Sequence, residues 1–221
     1  MKKILIGGAD RSGTTMLGSL LGSIPNSIVT PESLFKTEVT FELFNSDEYR
    51  QKLNKNWRFK TWNVEDDFWL GEKLESFNCF YESLVEYYSK GKKSLYWIDH
   101  SPNNLQHAKF LERNLKNVYF VHIVRDGRAV ANSQIPLEWG ANTCITHSRD
   151  WLKKVTLGLA AQAIFPEKTI MVKYEDLILK PVETLNNIYK FTKSDFQISS
   201  INQLVPQTKF LPSYSKKQHK L

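Results

Sequence analysis

The 221-residue chain has two cysteines, Cys79 and Cys144, in a length that can bury a core without covalent cross-links. Both are read as reduced thiols, which removes disulfide-stapled scaffolds from consideration. Long apolar runs are also missing. After Met1 and two lysines come only Ile4, Leu5 and Ile6 before glycine, too short for the core of an export signal, and nothing later approaches a membrane span. The expectation is a cytoplasmic protein without a transmembrane segment. Glycine and proline are sparse, at 10 and 8 residues, and no repeat, low-complexity tract or domain linker is visible. These scarcities argue against disorder and for one globular domain over residues 1–221.

The hydrophobic content is 41% and the net charge +7, so the surface attracts anions: nucleic acid, acidic membranes or phosphorylated small molecules. Part of that excess is local, because residues 213–221 hold three lysines and a histidine that read as a solvated basic tail.

Residues 2–8, 94–99, 118–124 and 168–174 are short runs of β-branched, aliphatic and aromatic residues, each followed by a polar stretch and a helical pattern. Helices are expected over 14–23, 72–90, 104–115 and 147–164. In the second of these, Leu74, Phe77, Tyr81, Leu84, Val85 and Tyr88 fall on one stripe. The repeated strand–helix order implies an α/β fold of three layers, α/β/α, with a central, mostly parallel sheet of the P-loop type. Ligands of such folds sit beyond the carboxyl ends of the strands. Residues 31–70 read as an insertion able to shape an acceptor site.

The segment from Gly8 to Thr15, GADRSGTT, has the Gly-x-x-x-x-Gly-x-Ser/Thr spacing of a phosphate loop between a strand and a helix. Converging backbone N–H groups and a helix N-terminus stabilise phosphate or sulfate oxygens there. The lysine that ATP-binding loops place before the final hydroxyl residue is replaced by Thr14, and a cation stands at Arg11 instead, which turns the reading away from ATP chemistry. An ordinary strand-to-helix turn is the plainer alternative. A second anion site is suggested where VYFVHIVRDGRAVANS ends a strand at Arg125 and reaches Ser133 after about two helical turns. Pairing of Arg125 with Asp126, and a surface role for Ser133, is the competing reading.

Together, RSGTT and VRDGRAVANS resemble the sulfotransferase superfamily that uses 3'-phosphoadenosine 5'-phosphosulfate, nearest its tyrosylprotein and bacterial carbohydrate-type branch. The resemblance implies that Arg11, Ser12, Gly13, Thr14 and Thr15 bind the 5'-phosphosulfate and that Arg125 and Ser133, eight residues apart, bind the 3'-phosphate. It places a glutamate base at Glu32, 21 positions after Arg11, where the alternative is a helix cap. It puts His100 where relatives have a lysine contacting the leaving oxygen, a role that needs a protonated ring; a structural histidine is the other reading. Tyr174 in KYEDLILKP is a nucleotide contact by the same resemblance, or a core residue. Asp126 and Arg128 read as loop organisers, Glu175 and Asp176 as an acidic first helical turn, and Trp151 as core. The stretch from residue 205 to Leu221 resembles a segment that bacterial relatives continue into a further arm.

The implied reaction moves a sulfuryl group from the nucleotide to a hydroxyl, less readily an amine, of a carbohydrate, lipid or small metabolite, with no metal and no nucleic-acid partner. A P-loop kinase or ATPase and a non-catalytic polyanion-binding module are the alternatives.

Overall fold

In a computed structural model, which describes residues 1–39, 44, 46–69, 76–135, 137 and 143–210, the apolar runs form one parallel sheet. Its strands are β1 (Lys2–Gly8), β2 (Ser27–Val29), β3 (Tyr96–Asp99), β4 (Val118–Val124) and β5 (Thr169–Lys173), in the spatial order β2-β3-β1-β4-β5. The sheet is the parallel α/β arrangement expected from the sequence. β1 lies at its centre, with Leu5 beside Asp99 of β3 and Gly8 beside Ile123 of β4. The chain crosses from one side of β1 to the other between β3 and β4, which opens a crevice at the carboxyl edge.

Side chains alternate across the sheet, as the two-residue period of a strand requires. Leu5, Trp97 and Phe120 face one core, and Ile4, Ile6, Ile98, Val121 and Ile123 face the other. The second core is closed by α1 (Thr14–Leu21), α9 (Tyr174–Leu179) and α10 (Pro181–Phe191), through Leu17, Leu177, Leu185 and Ile188. Over the first core lie α5 (Phe77–Tyr88), α6 (Ala108–Asn114) and α8 (Cys144–Ile164). α7 (Gly127–Gln134) starts at the carboxyl end of β4, with Asp126 as its N-cap.

The segment over 31–70 contains α2 (Phe35–Glu38), α3 (Asp47–Lys55) and α4 (Trp57–Lys60). Most of its rings are core: Phe35, Tyr49, Phe59, Trp62, Phe68 and Trp69 pack with α5, where Tyr81 stacks on Trp97 at 6.1 Å. The region expected to shape an acceptor site is thus also one wall of the domain. The helix expected over 72–90 is described as α5 from Phe77; its start and Leu74 lie outside the described residues, as does the basic tail at 213–221. The helix expected over 104–115 divides into a 3-10 turn, Pro102–His107, packed under Gly7, followed by α6.

β2 was not anticipated from the sequence. Its outer edge meets Gln207, whose amide accepts from the Val29 N–H at 3.2 Å and donates to the Ser27 carbonyl at 3.0 Å. The Gln207 backbone is tied to Ser19 of α1 in both directions, N–H to carbonyl at 3.1 Å and carbonyl from hydroxyl at 2.7 Å. Among the described residues, no helix is long and apolar enough to cross a membrane.

Candidate functional site

β1 runs into its loop through Gly8, where a Cβ would lie 2.3 Å from the Ile123 carbonyl oxygen, so only glycine lets β1 and β4 approach this closely. Arg11 and Gly13 then take positive φ, 68° and 95°, and wrap the chain around the N-terminus of α1. Gly13 is fixed by shape as well as by φ, because a Cβ there would fall 2.6 Å from the Tyr174 ring. Ser12 is fully buried, and its hydroxyl has no partner among the described residues. An orphaned hydroxyl inside an amide-lined turn at a helix N-terminus fits an anion's oxygens.

The second predicted site closes on the first. Arg11 Nε donates to Ser133 Oγ at 3.1 Å, and Arg125 donates to the Arg11 carbonyl at 3.0 Å. The Arg125 guanidinium lies 4.4 Å from the centre of the Tyr174 ring, a cation–π contact that aims it across the crevice. Trp151 is only half-buried; its indole N–H donates to the Arg125 carbonyl at 3.0 Å and its ring packs on Gly127, bracing the β4–α7 turn. Asp126 does not pair with Arg125; it accepts from the backbone and guanidinium of Arg128, and its own N–H donates to Glu175 at 3.0 Å. The carboxyl of Asp126 is held below the usual carboxylate range by those Arg128 hydrogen bonds. Arg11, Gly13, Arg125, Ser133 and Tyr174 therefore form one cluster at three adjacent strand ends.

Glu32 follows β2 and does not cap α2, whose N-cap is Leu34. Its side chain is one-third exposed, 3.9 Å from Arg58 of α4. Burial raises its pKa to about 7; Asp10 and Asp99 push the same way, while Arg58 and Lys36 oppose. A carboxyl poised there can accept a proton near neutral pH.

His100 departs from the role that the resemblance implies. Its residue is 3% exposed, it packs on Phe210 at 4.8 Å and beneath Gly18 of α1, and both ring nitrogens lack partners among the described residues. Burial lowers its pKa to about 4, so the ring is neutral at pH 7 and does not carry the charge of a lysine.

Two polar groupings around these residues were not legible in the sequence. Asp10 pairs with Lys154 of α8 and gives its carbonyl to Gln134 at 3.2 Å, while Gln134 also meets His147 at 2.6 Å. On the other flank, the Asp99 carboxylate accepts from Lys36, Ser33 and Ser101. Asp99 adjoins His100 at a predicted strand end, the one hint available; Lys36 and Lys154 are unremarkable lysines until the chain folds.

Fold and side chains define the class: an α/β protein that gathers the cations Arg11 and Arg125 at the carboxyl ends of adjacent parallel strands. Residues 3–197 match the sulfotransferase family, and the chain belongs to it. It is 27% identical to protein-tyrosine sulfotransferase 2 of Gallus gallus over 198 residues, covering 86% of this chain and 51% of that protein. Protein-tyrosine sulfotransferase 1 of Danio rerio is 25% identical, with coverages of 86% and 53%. The chain thus spans about half the length of the curated relatives it matches. Among solved structures, the sulfotransferase domain from the Synechococcus PCC 7002 olefin synthase is similar in fold, with a TM-score of 0.65, 20% identity and coverages of 99% and 82%. The sulfotransferase domain from the curacin biosynthetic pathway has a TM-score of 0.62 and 23% identity, covering 89% of this chain and 75% of that one.

Proposed function

We propose that the protein is a sulfotransferase that takes 3'-phosphoadenosine 5'-phosphosulfate as donor and delivers the sulfuryl group to a hydroxyl, less readily an amine, of a carbohydrate, lipid or small metabolite. The observation that carries this reading is the convergence of Arg11, Ser133 and Arg125 at one loop, with Tyr174 behind. Arg11 and the amides of Ser12 to Thr15 would hold the phosphosulfate, and Arg125 and Ser133 the 3'-phosphate. Ser133 is already bonded to Arg11, so the two halves of the donor site are mechanically joined.

In the transfer, Glu32 takes the proton of the acceptor O–H as that oxygen bonds to sulfur. The sulfur–oxygen bond to the phosphate breaks, and its electron pair leaves with adenosine 3',5'-bisphosphate. The positive side chain of Arg11 favours that departure electrostatically. His100, enclosed and neutral at pH 7, brings no positive charge to that step.

A thermal-shift comparison of adenosine 3',5'-bisphosphate with ATP and 5'-AMP tests the reading. Preferential stabilisation by the bisphosphate is expected. Equal shifts for all three, or a magnesium-dependent preference for ATP, would overturn it.

A further inference from the structure

The Asp99 carboxylate lies at the end of β3, completely buried, and takes four hydrogen bonds. Oδ2 accepts from Lys36 Nζ and from Ser33 Oγ, each at 2.5 Å. Oδ1 accepts from the Ser101 hydroxyl at 2.6 Å and the Ser101 N–H at 2.9 Å. Ser101 Oγ in turn accepts from the Ser33 N–H at 2.8 Å. Every partner is enclosed: Lys36 is 1% exposed, and Ser33 and Ser101 are inaccessible.

A buried ion pair of this kind is weak evidence for stability, because desolvating both charges offsets most of their attraction, and apolar replacements are often neutral or better. Its connectivity is more telling. Ser33 is the residue after Glu32, and its N–H and hydroxyl are both committed to the β3 end. Asp99 sits beside Leu5 on β1, the strand that becomes the phosphate loop. A continuous chain of bonds therefore joins the backbone of Glu32 to the strand bearing the cradle.

We infer that Asp99, with Ser33 and Lys36, is the positioning centre of the site, setting the distance between the Glu32 carboxyl and the anion cradle. The inference rests on the sulfuryl-transfer reading with Glu32 as base. Asp99 touches neither donor nor acceptor; it acts through Ser33. The charged groups around Glu32 are Arg58 of α4, Asp10 of the loop, Lys36 of α2 and Asp99 itself.

The test uses the full chain, radiolabelled donor, and water and glycerol as acceptors, with bisphosphate affinity measured in parallel. Ser33→Ala is expected to lower kcat about a hundredfold, the scale of a misplacement near 1 Å, with unchanged bisphosphate affinity. Ser33→Thr, which keeps the hydroxyl, restores turnover. Asp99→Asn lowers kcat similarly and moves the acid limb of the pH profile down, because it removes a negative neighbour of Glu32. Should Asp99→Asn fail to fold, the Ser33 pair alone decides. Full turnover in Ser33→Ala overturns the inference while leaving the reaction intact. A parent protein that neither binds the bisphosphate nor consumes the donor overturns the sulfotransferase reading and the inference with it.

Discussion

Glu32 owes its poise to where the turn after β2 leaves it: against Arg58, within the fields of Asp10 and Asp99, and largely out of water. As the base proposed above, Glu32 must be ionised to accept a proton, so turnover should rise with pH through about 7 and level off above it, which a kcat profile will show. Glu32→Gln replaces the basic carboxylate by an amide that cannot take up a proton near neutral pH, and should lower kcat by about a hundred- to ten-thousand-fold while bisphosphate affinity stays the same. At the other end of the crevice, Ser133→Ala should reduce the preference for bisphosphate over 5'-AMP about tenfold, the worth of one charge-assisted hydrogen bond, measured by calorimetry. Glu32 was legible through the resemblance, 21 positions after Arg11, and Ser133 through its place eight residues after Arg125 in VRDGRAVANS. His100 shows where that legibility fails. Its position in WIDHSPNN gives no sign that α1 and Phe210 will enclose the ring and hold it neutral.

Among the elements, β1, β3 and β4 were readable because strands covered on both faces appear as short, nearly continuous apolar runs. β2 was not: it has three residues, one of them serine, and is a strand only because β3 lies beside it. The Asp99 cluster depends on that same pairing, which brings Lys36 and Ser33 to a carboxylate more than sixty positions away, and no local pattern encodes it. Gln207 likewise acts through distant elements, fastening α1 and β2 to a C-terminal segment by side-chain and backbone bonds. Gln207→Ala should cost about 1–3 kcal/mol through the unpaired edge groups. At roughly 2–4 °C per kcal/mol for this size, the loss will appear as a lowered Tm.

Across the whole molecule, two buried histidines tie stability to pH. His100 and His122 both lack partners for their ring nitrogens among the described residues, and burial lowers each pKa from 6.5 to about 4. The unfolded chain therefore binds more protons than the folded one between those values, and stability falls as pH drops from 6.5 toward 4. Each histidine contributes on the order of 3 kcal/mol to that loss. Glu32 opposes it, because a carboxyl raised from 4.5 to about 7 weakens the fold as pH rises through that range. With two groups against one, urea unfolding should show lower stability at pH 5 than at pH 7, and His122→Leu should flatten the slope.

The Gln207 contact has one more consequence, for association between molecules. The Val29 N–H and Ser27 carbonyl form the outward pair that a foreign strand would use to extend the sheet, and a side chain already occupies both. The plug makes that border of the sheet a poor template for aggregation. Gln207→Ala should then do more than soften the fold: incubated near its Tm, it should scatter light earlier than a variant equally destabilised elsewhere.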